Sequence, residues 1–304
     1  MHVGVIGVGN MGSGIAMNLL DRGHKVIVRD INPEAEQRVA VHGAQIAPHP
    51  RALAQAVEIV IIVVVNAAQI ESVLFGTDGV FSGSGDGAPA KNASVPAVMI
   101  CSTIAPDDTE RFAKGLETFG ATLLDAPISG GPARARDGGM SLMLAATTEA
   151  RTRFDALLHD MAARLLFVGN RVGDGARVKL LNNLLGGIQL IAGAHALAAG
   201  ERMGLSGETL FKVVSASSGQ SWVTDDRLPR ALAGDFEPRA HAHILTKDVT
   251  LALEMLKNAG ESFPLGDIAL ETFKAALDAG WRDKDDCVVL EVARGKAGAM
   301  PPHQ

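Results

Sequence analysis

Lys179 and Asn183 stand four residues apart in "GDGARVKLLNNLLGGIQL" (Gly173–Leu190), among Val178, Leu180, Leu181, Leu184, Leu185 and Ile188. That spacing places both side chains on one face of a helix, while Asn182 faces elsewhere. A helix this apolar is expected to be buried, and an ammonium withdrawn from water holds its proton less tightly. An amine poised to release and regain a proton suits general acid/base work on a hydroxyl or carbonyl. The carboxamide beside it can hydrogen-bond the same oxygen. The alternative at this point is a lysine that snorkels to solvent from a domain junction.

Two other stretches carry chemistry. In "DAPISGGPARARDGG" (Asp125–Gly139), Ser129 offers a hydroxyl, and Gly130 and Gly131 let backbone N–H groups converge without side-chain obstruction. Such a nest suits a carboxylate; the alternative is a plain loop. In "VGVIGVGNMGSG", Gly7, Gly9 and Gly12 keep the G-x-G-x-x-G spacing between a strand and a helix, with Asn10 and Met11 inside the turn. Gly7 permits the turn, Gly9 lets a pyrophosphate approach the backbone, and Gly12 lets the helix lie close to the sheet. The free N–H groups of the helix start then face the phosphates. Asp30 ends the next strand, where a carboxylate accepts the ribose hydroxyls and repels a 2′-phosphate, which favours NAD over NADP. Arg29 beside it is the one residue that speaks for NADP. The competing reading of Asp30 is a residue that leads into the next helix.

These residues need a scaffold. "HVGVIG", "KVIVRD", "EIVIIVVV", "AVMICS", "TLLDAPI", "SLMLAA" and "RLLFVG" read as strands. Helical patterns lie between them, among them "NPEAEQRVAVHG" with Asn32 as N-cap and Pro33 at the first helical position, and "PDDTERFAKGLETFG". Apolar strands alternating with amphipathic helices predict an α/β domain whose mostly parallel sheet is covered on both faces. Phe81–Ala97 reads as a long loop. After about Gly169 strand signals stop and helical patterns follow: Asp174–Met203, "GETLFKVVSAS", "TKDVTLALEMLKNAG", "PLGDIALETFKAALDAG" and "KDDCVVLEVAR", then a loose tail from Gly295. The expectation is an NAD-binding Rossmann domain over 1–169 and an all-α domain for substrate and oligomerisation over 170–304, joined by the long helix that carries Lys179.

Composition narrows the function class. The 304 residues are 47% hydrophobic and carry a net charge of −6, with no basic run of the kind a nucleic-acid binder presents. Cys101 and Cys287 make no disulfide framework and are expected as reduced thiols of a cytoplasmic protein. The first apolar run begins at Val3 with no basic leader, and the run Val57–Val65 is too short to span a bilayer, so neither a secretory signal nor a membrane is expected. His241 and His243 have a spacing seen in metal sites, but no Cys or acidic partner accompanies them, and no metal is expected. His195 reads as a hydrogen-bonded core or interface residue, and Trp222 equally as lining of a substrate pocket or as packing between helices. Arg134 and Arg136 read as solvated loop charges, with contact to a polar or acidic substrate tail the alternative.

Taken in order, "GVIGVGNMGSGIAMNLL", "DAPISGG", "GDGARVKLLNN" and "KDVTLAL" resemble the β-hydroxyacid dehydrogenase family, which includes 3-hydroxyisobutyrate dehydrogenase and tartronate semialdehyde reductase, over nearly the whole chain. The resemblance implies an NAD(P)-dependent hydride transfer to or from a small hydroxy acid. Lys179 then matches the catalytic lysine and Asn183 its assisting amide. Ser129, Gly130 and Gly131 match the segment that holds the substrate carboxylate. Thr103 in "CSTIAP", Lys247 in "TKDV", and Val65 and Asn66, where many relatives have Leu-Pro, match positions that contact the cofactor. Ile31 stands where NADP-preferring members commonly carry arginine. "NAAQIESVLFG", "SSGQSWVTDDRLP" and "DKDD" look most like the L-threonate dehydrogenase branch. A homodimer or homotetramer is implied, and the thirty-residue apolar helix needs more cover than its own domain supplies. The rival from another class is a non-catalytic dinucleotide-binding protein, for which retention of Lys179, Asn183 and the carboxylate loop would be needless.

Overall fold

The computed structural model describes residues 1–82 and 95–297. Most of the loop expected over Phe81–Ala97, and the tail from 298 onward, lie outside the described residues. Two compact units are present, Met1–Lys179 and Leu180–Gln304.

The first unit is built on a mixed sheet. Strands β1 (His2–Ile6), β2 (Lys25–Arg29), β3 (Gln45–Ile46), β4 (Ile59–Ile62), β5 (Ala97–Ile100) and β6 (Leu123–Asp125) are mutually parallel, in the spatial order β3-β2-β1-β4-β5-β6. Beyond β6 lies β8 (Ser141–Ala145), antiparallel to β6 and to the short β7 (Ile128–Ser129), and parallel to β9 (Arg164–Gly169). The strands form here because their β-branched residues serve both faces at once. Val3, Val5, Ile59 and Ile61 enter one buried cluster, with Ile15 and Leu19 of α1 (Asn10–Asp21). Ile6, Val60 and Ile62 enter the other, with Leu53, Ile70, Leu74, Phe112 and Leu116.

Local capping sets several helix starts. Helix α2 (Pro33–Ala40) has Asn32 as its cap, accepting from Glu34 N–H, and Pro33 in its first turn, as the sequence predicts. Helices α3 (Pro50–Ala54) and α4 (Ala67–Phe75) follow, then α5 (Pro106–Glu117) with Asp107 and Asp108 at its positive end. Part of the glycine-rich stretch expected as a carboxylate nest or a plain loop is a helix, α6 (Gly131–Asp137), ended by Gly138 at φ 74°. It lies close on α1 because Gly14 has no side chain: a Cβ there would stand 2.9 Å from Arg136 N. Two short helices, α7 (Thr148–Arg153) and α8 (Asp155–Met161), complete the unit.

The second unit is all helical. The long helix α9 (Asp174–Arg202) supplies Leu180, Leu184, Leu190, Ile191, Ala194 and Leu197 to its core. Against these pack residues of α11 (Trp222–Leu232), α12 (Ala242–Asn258), α13 (Pro264–Asp278), a 3-10 turn (Asp286–Val288) and α14 (Val289–Ala293). Helix α10 (Gly207–Ser215) precedes α11, which opens on a capping box between Ser221 and Thr224 and tolerates Pro229 inside it. Helix α12 starts four residues earlier than its sequence pattern, because Ala242 N–H bonds Lys284 O at 2.9 Å in an antiparallel bridge at His241 and Asp285. The apolar surface of α9 is not wholly covered: Val178, Leu181 and Leu185 are 39%, 44% and 54% exposed. By length and composition α9 is also the one helix among the described residues that could cross a membrane.

Candidate active site

Strands β2, β1, β4, β5 and β6 all end at one edge of the sheet, and the expected residues follow those ends in space. Asp30 comes after β2, Gly7 after β1, Val65 and Asn66 after β4, Thr103 after β5, and Ser129–Gly131 after β6. The direction of winding reverses between β1 and β4, which is where open α/β sheets bind ligands.

The glycine turn has the shape a dinucleotide requires. Gly7 adopts φ 89°, and a Cβ there would lie 2.3 Å from Val63 O. A Cβ on Gly12 would lie 1.8 Å from Gly7 O, whereas Gly9 faces open space, with nothing within 4 Å. Helix α1 begins at Asn10 without a side-chain cap, so its first N–H groups point out of the turn. Asp30 closes the site: Oδ2 accepts from Val8 N–H at 2.6 Å and Oδ1 from Asn32 N–H at 2.8 Å. Each carboxylate oxygen keeps capacity for a further bond to a ribose hydroxyl. Arg29 is held by buried Glu36, at 2.7 Å, and Glu36 also accepts from Asp30 N–H at 2.8 Å. Ile31 is 89% exposed and brings no charge. These residues fit NAD.

Around this turn, the structure assigns local duties to several expected contacts. Asn66 caps α4, its Oδ1 accepting from Gln69 N–H at 2.9 Å, while Gln69 Oε1 accepts from Val65 N–H at 2.8 Å. Ser102, which sequence reasoning passed over, ties the end of β4 to β5 by accepting from Val64 N–H at 2.9 Å. Thr103 is half-buried beside it. Cys101 is buried, and burial together with the Asp125 charge pushes its thiol far up, which disfavours the thiolate.

In the carboxylate loop, Gly130 and Gly131 take φ 137° and 77°, conformations that favour glycine. Arg134 folds along the loop, its Cδ standing 3.0 Å from where a Gly130 Cβ would be. Arg136 stays solvent-exposed, as expected of a surface charge, and pairs with Asp21 of α1 at 2.5 Å. The sequence also left Asp125 without a role. Its carboxylate is 2% exposed, and Oδ2 accepts from Gly173 N–H at 2.8 Å and Ala176 N–H at 3.2 Å at the start of α9. Burial pushes this carboxyl up to about 6 against those backbone bonds.

Lys179 is buried, 7% exposed, in the unit that carries the glycine turn. Asn183 follows one helical turn later on the continuous helix α9. Its Nδ2 donates to Asp248 Oδ2 at 2.7 Å, and the ammonium of Lys247 lies 2.8 Å from Asp248 Oδ1 in an ionic contact. Asp248, 4% exposed, is thus a second residue the sequence did not single out, although it sits inside the "KDVTLAL" motif. His241 and His243 do gain an acidic neighbour in Asp283, with one ligating atom from each residue within 4.8 Å of the others. The Nδ1 atoms of both rings rest 3.0 Å from backbone carbonyls, those of Asp283 and Arg282.

Comparison with known proteins matches both halves of the chain. Residues 2–169 match the NAD-binding domain of 6-phosphogluconate dehydrogenase, and residues 173–293 the NAD-binding family of NADP-dependent 3-hydroxyisobutyrate dehydrogenase. L-threonate dehydrogenase of Cupriavidus necator is 35% identical over 294 residues, 97% of this chain and 96% of its own. 3-hydroxyisobutyrate dehydrogenase of Pseudomonas aeruginosa is 33% identical over 307 residues, covering 97% and 99%. The crystal structure of a Salmonella typhimurium 3-hydroxyisobutyrate dehydrogenase superposes with a TM-score of 0.86 at 34% identity, covering 96% of this chain and 99% of that one.

Proposed function

We propose, for a chain that belongs to the β-hydroxyacid dehydrogenase family of NAD-dependent oxidoreductases, that its substrate is a C3–C4 hydroxy acid, with an L-threonate-like sugar acid favoured. The observation that carries this reading is Lys179, a lysine 7% exposed on α9 in the unit that holds the glycine turn and the Ser129–Gly131 loop. When bound, NAD supplies the acceptor for the hydride that leaves the carbinol carbon. Gly9 to Gly12 and the first N–H groups of α1 hold the pyrophosphate, and Asp30 holds the ribose. Ser129, Gly130 and Gly131 receive the substrate carboxylate and so orient the carbinol. Lys179 Nζ takes the hydroxyl proton as the carbonyl forms, or returns it in reduction, and Asn183 steadies the same oxygen. Thr103, Val65, Asn66 and Lys247 line the cofactor side. A 3-hydroxyisobutyrate substrate is the second reading, favoured by the name shared by the Pseudomonas and Salmonella relatives.

Lys179→Met should lower kcat by about 10²- to 10⁴-fold, the range of a lost general acid/base, while NADH still binds. Near-normal turnover in that variant removes Lys179 from the mechanism. A spectrophotometric panel of C4 sugar acids, 3-hydroxyisobutyrate, glycerate and 4-hydroxybutyrate with both cofactors ranks the substrates, and absence of turnover across it would return the chain to a non-catalytic role.

A further inference from the structure

We propose that Asp125 is a positioning residue for Lys179: its carboxylate fastens the first turn of α9 to the strand end that carries the Ser129–Gly131 loop. The inference rests on the reading of Lys179 as general acid/base. Asp125 is the last residue of β6, and the chain reaches Ser129 four residues later. Its own backbone is flanked on both sides of the sheet, paired with Ile100 of β5 on one side and with Ala145 of β8 on the other, and Ala126 N–H next to it bonds Ile100 O at 3.0 Å. From this fixed point Oδ2 takes the N–H groups of Gly173 and Ala176. Ala176 lies three residues before Lys179, on the same side of the helix. One carboxylate therefore sets the distance and rotation between the group that would hold the substrate acid and the group that would move its proton.

Gly175 is a second, independent sign that this junction is built for close approach. A Cβ there would stand 2.8 Å from Asp125 Oδ1 and 2.9 Å from Asp125 O, so the helix turn meets the strand end nearer than any side chain permits. An anion at a helix N-terminus also complements the helix dipole. Cys101 and Asp174 face the carboxylate, and Asp174 repels its charge. Burial, with the Asp174 charge adding to it, lifts its titration to about 6, so the charged anchor is complete above that pH and weakened below it.

The test uses the full chain with its best hydroxy acid. Asp125→Asn keeps the shape and one acceptor oxygen but loses the charge. The expected result at pH 8 is a kcat lower by about 10- to 100-fold, as for a small misplacement of a reacting group. KM and NADH binding should stay close to wild type, and the acid limb of kcat near pH 6 should be absent. Gly175→Ala leaves the carboxylate intact and displaces the turn. Helix propensity alone would make that variant more stable and equally active, whereas a positioning role predicts a fall in kcat. If Asp125→Asn does not fold, as read by lost NADH binding, Gly175→Ala decides. Should Lys179→Met be dead while Asp125→Asn and Gly175→Ala turn over with wild-type kcat and acid limb, the positioning role alone is overturned. Should Lys179→Met keep its turnover, the reading of Lys179 falls, and the positioning role with it.

Discussion

At the scale of single residues, Asp30 has a structural duty that is visible and a cofactor duty that is proposed, and one substitution reads out both. It accepts from Val8 and Asn32 N–H groups, so it braces the glycine turn before any cofactor arrives. On the proposed reading it also presents a negative charge where NADP would bring its 2′-phosphate. Asp30→Gly should therefore weaken NAD binding more than NADP binding and cost about 1–3 kcal/mol of stability through lost bonds to a charged group. Fluorescence titration with both cofactors measures the first effect; an unchanged NAD-to-NADP affinity ratio would contradict it. Arg29 is held by Glu36, a pairing seven residues away that no motif announces. Freeing it with Glu36→Gln should raise relative affinity for NADP. The chemistry-bearing types were legible at this scale, as were their chain positions. Their partners were not: Asp125 meets Gly173 across 48 positions and Asn183 meets Asp248 across 65.

At the scale of elements, helix ends explain what local sequence reports well. Asn32, Asn66, Ser206 and Ser221 each cap a helix with their own side chain. Asn66→Ala should lower stability by about 1 kcal/mol and loosen the start of α4, read as a lower Tm. A Tm equal to wild type would mean that Asn66 serves something other than its helix. The elements that the sequence hid are those whose signal is too short or is masked. β3 has two residues, α6 has seven and sits among glycines, and α11 contains Pro229. Their existence follows from neighbours: α6 forms where Gly14 lets it rest on α1.

At the scale of the whole molecule, the second unit carries a buried ionic cluster with a pH signature. Asp286 is 2% exposed, and burial lifts it to about 7 even though the guanidinium of Arg227 pulls the other way. Beside it Asp285 is held at about 2: burial alone would raise it, but bonds from Arg239 N–H, Cys287, Arg230 and Ala240 N–H prevail. A carboxyl raised by folding stabilises fully below its unfolded value and loses that contribution as pH rises through about 7. The depressed one stabilises above its unfolded value and loses that contribution as pH falls through about 2. Melts between pH 4 and 8 should show stability contributed by Asp286 draining away toward pH 7, and Asp286→Asn should flatten that slope; an unaltered slope would assign it elsewhere. We also expect self-association through the exposed apolar stripe Val178, Leu181 and Leu185 of α9. Sedimentation should find a dimer or tetramer, which Leu181→Glu and Leu185→Glu together should shift toward monomer.

Periodicity, turn chemistry and the order of motifs were enough to determine the α/β class, the helical second half, the dinucleotide turn and the place of Lys179 on an apolar helix, because each is a local or evenly repeated signal. Only the tertiary structure decided which strand ends meet, that Asp125 seats the lysine helix, that Glu36 occupies Arg29, that Arg136 serves α1, and that Asp283 joins the two histidines. Those pairings depend on strand order and on how closely glycine lets backbones approach. Both are properties of the packed chain, and no neighbouring residues encode them.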